Sequence, residues 1–373
     1  MRSRHRSSAT ALTLGYALLV VYASLYPFAG WRWPAGRDLL ELLVLPGLAR
    51  ATAFDEGSNF AGYVPLGALA FAAAVRTGRS ALAALLGSLF GCAALSYSLE
   101  VLQYLVPGRV PSRLDFALNA AGALSGALLG AWLWKLGAFD RWQTGRDRWL
   151  VPRSAGGLVL LLLWPVALLF PSPIPLAPGQ VLEALSDAAT VVLSGTPLEE
   201  DVLAAFEDEL RRRQPLAPLG EGLAIALGVL SPCLLAHAVV RPGGRRVAVV
   251  ALVVLAGSGA MALSTALNFG PSHGMAWLSA RVALSMGLGT VVALALCGVS
   301  ARVAALLALL ALTALVVLVA QVPPDPYYAE SLQRWEQGRF IRFHGIAQWV
   351  GWLWPYAAMG WLFMRLAGPA GRG

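Results

Sequence analysis

Apolar runs about as long as a bilayer is thick recur along the whole chain, and no other feature restricts the fold so sharply. A membrane-crossing helix needs about 20 consecutive apolar residues, and lipid admits only helices and closed barrels as spanning structures. Such runs fall at roughly residues 9–28, 58–75, 80–106, 115–137, 155–171, 220–240, 246–268, 275–298, 302–322 and 345–367. Charged residues make up 13% of the chain and hydrophobic residues 58%, whereas a soluble domain carries about 25% charged residues. The expected fold is all-α, a polytopic membrane bundle of about ten transmembrane helices. An even count puts both termini on one side.

Arginine distribution indicates which side that is. Arg2, Arg4 and Arg6, the 76–79 turn, the 138–154 stretch and the 241–246 turn fall on one face with few acids. The opposite loops hold Asp38, Glu41, Asp55, Glu56 and an acidic cluster over 183–209. The positive-inside rule then makes both termini cytoplasmic. The opening MRSRHRSS leads into a run without a small-residue cleavage site, which reads as a retained first span. The net charge of +8 is scattered between apolar runs, so no nucleic-acid partner is expected. Cys92, Cys233 and Cys297 each lie inside an apolar run without CxxC or histidine spacing, and read as packing residues. The organisation expected is a four-span unit over 1–137, a basic cytoplasmic linker over 138–154 and a six-span unit over 155–373.

Two outward loops stand out. In the 172–219 loop, FPSPIPLAPG cannot be helical and reads as an extended exit strand. Thr196-Pro197-Leu198-Glu199 then reads as a helix start with Thr196 as N-cap. Leu198, Val202, Phe206 and Leu210 form an apolar stripe, fit for the membrane interface or for packing on the helix's own bundle. The 323–344 loop sets Tyr327, Tyr328, Trp335, Phe340 and Phe343 among Arg334, Arg339, Arg342 and His344. That mixture suits a sugar and a phosphate, and equally an interfacial aromatic belt.

Chemistry concentrates between Ser96 and Gly130. Glu100 lies about six residues before the Pro107-Gly108 break, roughly 9 Å below the helix end at 1.5 Å per residue. An ionisable group at that depth costs a few kcal/mol unless paired, and marks a candidate functional site. Ser96, Glu100 and Gln103 share one helical face. Beyond the break, Asp115 and Asn119 share a face that continues downward through Gly122, Gly126 and Gly130, a small-residue seam for close helix approach. The neighbour expected for this face is the helix carrying Glu100. Glu100, Arg113, Asp115 and Asn119 are expected to form one cluster, with Asn59, Gln103 and Arg109 brought to the same outer leaflet.

The sequence leaves several roles open for this set. Glu100, with Asp115, could be a general acid or base. Glu100 could instead pair with Arg113 or Arg109 as a structural weld. Arg109 and Arg113 have the chemistry to clamp a phosphate. With Asp115, Glu100 could also be a hard-oxygen ligand for a divalent cation, although two carboxylates and an asparagine make a sparse set; neither metal nor cofactor is expected. Arg281, inside the eighth run, should pair or snorkel. There is no P-loop, no GxSxG elbow and no GxGxxG after a strand.

These residues carry a family resemblance. Asn59-Phe60-Ala61-Gly62-Tyr63-Val64-Pro65-Leu66-Gly67, then Ser96-x-x-x-Glu100-x-x-Gln103, then Arg109, Arg113, Asp115 and Asn119-Ala120-Ala121-Gly122 together resemble the VanZ-like membrane family. The likeness covers about residues 10–137. It implies a multi-pass protein of the bacterial plasma membrane, in a family whose name-giving member is associated with low-level glycopeptide resistance. With the long C-terminal extension, the role implied here is to bind or handle an envelope lipid or lipid-linked glycan precursor at the outer leaflet. Alternatives are an integral enzyme modifying such a lipid or glycan, and a scaffold without a ligand.

Overall fold

The computed structural model describes residues 8–26, 28, 30–47, 53–269, 273–323 and 341–368. The described residues form an all-α protein that divides into two compact units, Met1–Gly145 and Arg146–Gly373. Most of the 323–344 aromatic and basic loop, including Tyr327, Tyr328, Arg334 and Trp335, lies outside the described residues, as do Arg2, Arg4 and Arg6.

In the first unit the elements are α1 (Ser8–Leu25), the short α2 (Leu39–Leu42), α3 (Ala53–Arg76), α4 (Ala81–Gln103) and α5 (Arg113–Lys135). The stretch read as a linker is itself a helix, α6 (Ala138–Trp149), and the boundary between the units falls inside it. Serines start two of the long helices as predicted by N-cap chemistry. Ser80 accepts a hydrogen bond from the Ala83 amide at 3.3 Å, and Ser112 accepts from the Leu114 and Asp115 amides at 3.1 and 3.4 Å.

The glycine seam on α5 exists, but its neighbour is α3, not the Glu100 helix. A Cβ on Gly122 would meet the Phe60 carbonyl, and one on Gly126 the Val64 carbonyl. Reciprocally, a Cβ on Gly67 would meet the Ala123 carbonyl. Backbone touches backbone along the whole α3–α5 crossing, an approach that favours Cα–H···O contacts. A helix in a bundle has two neighbours, and the closest is selected by small residues on both sides; α3 supplies Gly67 and Ala68. The polar top of the same α5 stripe faces α4 instead.

In the second unit the elements are α7 (Ala155–Ala167), α8 (Leu182–Leu193), α9 (Glu199–Arg212), α10 (Pro218–Val239), α11 (Gly244–Phe269), α12 (Ala280–Ala295), α13 (Ala301–Val319) and α14 (Ile341–Ala367). α10 is the central pillar: 78% of its apolar window is buried within the protein, against 39% for α13. It is flanked by α7, α11, α12 and α13. The proline-rich exit after α7 is non-helical as expected, yet it is no exposed strand. Ile174, Leu176 and Ala177 are buried in the α10 core, where the Leu176 carbonyl comes up against Gly228.

Three sequence expectations change in this unit. Thr196 does not cap α9; its hydroxyl turns back to the Leu193 carbonyl at 2.7 Å, and the helix starts at Glu199 after Leu198. Glu199 instead accepts from the Gly195 amide at 2.7 Å. The preceding helix α8 was hidden in the sequence because its own acids, Glu183 and Asp187, read as part of an acidic loop. α9 buries no residue and pairs with α8. The base of this hairpin is tied to the end of α13, through Gln180 Nε2 on the Val322 carbonyl at 3.0 Å and the Gln214 amide on the Gln321 carbonyl at 3.2 Å.

The third change concerns Arg246, which reads in sequence as one more basic residue of a solvent-exposed turn. It is fully buried, and its guanidinium donates to four carbonyls. These are His237 at 2.7 Å and Val240 at 3.0 Å at the end of α10, and Cys297 at 3.1 Å and Val299 at 2.6 Å beyond α12. Helix ends leave carbonyls without partners and carry partial negative charge. One planar, five-donor cation answers two of them at once. Arg281 does pair, with Glu221 at 2.6 Å; both side chains are partly exposed, so the pair contributes under about 1 kcal/mol.

Among the described residues, seven helices are long and apolar enough to cross a membrane: those at Glu56–Arg76, Ala81–Gln103, Arg113–Lys135, Pro218–Val239, Gly244–Asn268, Ala280–Gly298 and Ala301–Val319. Leu12–Leu25 and Ala155–Ala167 are apolar but shorter.

Candidate functional site

Where α3, α4 and α5 meet in the first unit, polar side chains are sealed inside an apolar bundle. Glu100 is 3% exposed, Asn119 5%, Tyr63 4% and Ser96 fully buried. Their register explains the gathering. Ser96 and Glu100 are one turn apart on α4, and Asn119 lies on α5 one turn beyond Asp115. Tyr63 comes from α3, held there by the close α3–α5 crossing.

Hydrogen bonds join the set in part. Asn119 Nδ2 donates to Ser96 Oγ at 3.0 Å. The Tyr63 hydroxyl lies beside Ser96 and Glu100, but makes no hydrogen bond of good geometry. The Ser112 amide donates to Glu100 Oε2 at 2.9 Å. Since Ser112 is also the N-cap of α5, Glu100 sits at the positive end of that helix. Asp115 and Arg109 lie close enough for their charges to act on Glu100. No arginine comes within ion-pair distance of Glu100 among the described residues.

The expected cluster is therefore met in part. Glu100 and Asn119 are brought together around Ser96, with Asp115 near, and Ser112 rather than Asn119 does the capping. Arg113 points elsewhere: its Nε donates to the Leu45 carbonyl at 2.6 Å, and its amide to the Pro46 carbonyl at 3.2 Å. Tyr97 and Tyr104 take the neighbouring Leu43 and Val44 carbonyls at 2.5 and 2.9 Å. Four successive carbonyls of the stretch after α2 are thus strapped down. Arg109 holds the end of α1, through the Ala23 and Tyr26 carbonyls at 3.2 and 2.8 Å, and Gln103 reaches the Ser24 carbonyl at 3.4 Å. Arg109, Arg113 and Gln103 read in sequence as ligand groups; here they hold backbone. Asn59 is half-buried one turn before Tyr63, with no hydrogen bond to the cluster among the described residues.

Sequence reasoning missed Tyr63 and Ser112 as members. A tyrosine near a span end reads as an interfacial residue, and only its spacing one turn before Gly67, on the helix that meets the seam, pointed inward. Two polar atoms of the cluster, Tyr63 Oη and Asn119 Oδ1, have no hydrogen-bond partner among the described residues. No donor among the described residues reaches Glu100 Oε1. The site is thus rich in acceptors. No group of three His, Cys, Asp or Glu side chains among the described residues is arranged to hold a metal ion.

Comparison with known proteins gives one match: the family described as VanZ/LLP1, over residues 5–135. This range ends with α5 and contains every residue of the cluster. No curated protein and no solved structure matches the chain.

Proposed function

Because residues 5–135 make this chain a multi-span membrane protein of the VanZ/LLP1 family, we propose that it binds or handles an envelope lipid or lipid-linked glycan through the Glu100 cluster. The observation that carries this reading is a carboxyl group buried in a candidate membrane span, with no ion pair among the described residues, beside two buried polar atoms without described partners. An unsatisfied buried polar group costs about 1–3 kcal/mol, and a purely structural weld would evolve toward apolar packing or complete pairing. Vacant hydrogen-bonding capacity of this kind suits a ligand that completes it.

The topology that goes with this reading has ten spans, with α1, α7 and α14 added to the seven candidate spans above, in a bacterial plasma membrane with both termini cytoplasmic. The cluster then faces the outer leaflet. On intact cells, a membrane-impermeant thiol reagent should modify a cysteine placed at Asp187 and spare one placed at Asp147; the reverse labelling overturns this orientation.

The functional test is Glu100→Gln, which keeps shape and most hydrogen bonds. The envelope phenotype that the protein confers should be lost at normal protein abundance. A phenotype that merely tracks abundance would leave Glu100 as a weld.

A further inference from the structure

We infer that the group taken up at the Glu100 cluster is a primary ammonium, the headgroup chemistry of an aminophospholipid such as phosphatidylethanolamine. The inference rests on the lipid-handling reading above and narrows it by chemical class. Two buried acceptors without a hydrogen-bond partner among the described residues, Asn119 Oδ1 and Tyr63 Oη, lie beside Ser96, and Glu100, one turn along α4, has a third in Oε1, which no described donor reaches. A primary ammonium offers three N–H donors and one positive charge. It therefore matches the acceptor count and neutralises the buried carboxylate in the same step.

The competing ligand chemistries fit less well. A phosphate needs cationic donors, but Arg109 and Arg113 direct guanidinium donors to backbone carbonyls, and the carboxyl groups of Glu100 and Asp115 supply no cation. A sugar hydroxyl brings one donor and no charge, leaving the carboxylate uncompensated in lipid. A divalent cation needs six or more oxygens, beyond what the cluster holds. A quaternary ammonium has the charge but no N–H to give. The tip of a tethered ammonium is about the size of a water molecule, so its entry needs only a slight parting of the helix ends around Ser112.

The experiment uses the full chain in phosphatidylcholine nanodiscs doped with either phosphatidylethanolamine or phosphatidylglycerol at equal mole fraction. Phosphatidylethanolamine should raise the thermal midpoint and be the lipid retained on release into the gas phase. Glu100→Gln should abolish that preference. Tyr63→Phe, which keeps the ring and removes one acceptor, should weaken it about tenfold. Stabilisation by phosphatidylglycerol instead would overturn the ammonium assignment while leaving a lipid ligand in place. A phosphatidylethanolamine effect unchanged in both variants would mark a bilayer property and also overturn it. If no headgroup matters, the ammonium assignment fails, and the lipid-handling reading then stands or falls on whether Glu100→Gln loses its phenotype at normal abundance.

Discussion

Gly126→Leu should leave almost no folded protein in mild detergent. A Cβ at this position would lie inside the Val64 carbonyl, and the atoms it meets are backbone, which cannot rotate aside. Inserting even a methylene or two into a packed core costs about 1–3 kcal/mol when side chains can yield. Here the whole α3–α5 crossing has to widen, so a loss above about 3 kcal/mol is expected. The widening also draws Tyr63 away from Ser96 and Asn119, so any protein recovered should have lost its site. Gly91→Leu is the matched control, on α4, where a Cβ has nothing within 4 Å. Its thermal midpoint should stay within about 2 °C of the parent. Equal tolerance of both substitutions would show that the seam does not set the crossing.

The second large effect is expected at Arg246. Removing a buried charge relieves its desolvation, which argues for a mild outcome. The acceptors decide otherwise: Arg246→Met leaves the carbonyls of His237, Val240, Cys297 and Val299 without their donor in a dry interior. The asymmetry between making a hydrogen bond and leaving its partner stranded sets the scale. A loss of about 3–5 kcal/mol follows, comparable with breaking a buried ion pair from one side. Arg246→Lys keeps the charge but not the planar fork, so its midpoint should fall between those of Met and the parent. A lysine variant as poor as methionine would mean that geometry alone, and not charge at the two helix ends, holds this corner.

Both positions show where the sequence can be read and where it cannot. Polar residues inside apolar runs are conspicuous, so Glu100, Ser96 and Asn119 could be singled out and placed on their helix faces by spacing alone. The glycine stripe was equally visible. Which neighbour it meets was not, because that depends on small residues contributed by another helix. Arg246 illustrates the opposite difficulty. Coming just after Gly243 and Gly244, it looks like an ordinary turn arginine, and only the convergence of two helix ends in space makes it a core residue. The roles of Arg109 and Arg113 stay open in the sequence for a related reason. A guanidinium binds a phosphate and a row of carbonyls with the same donors, and sequence does not reveal how many carbonyls are waiting.

The burial of α10 also bears on how the chain is made. This helix carries Gly228, Ser231 and His237 on surfaces that end up inside protein, yet α12 and α13, which cover much of it, are synthesised afterwards. About 80 residues separate the end of α10 from the end of α13, which at ~5–20 residues per second is about 4 to 16 s of translation. For that interval α10 must reside in lipid, or beside an insertase, with small and polar surfaces uncovered. Assembly of the second unit is therefore paced by its later helices, and a ribosome stalled before α13 would leave α10 with the face that α13 covers still open.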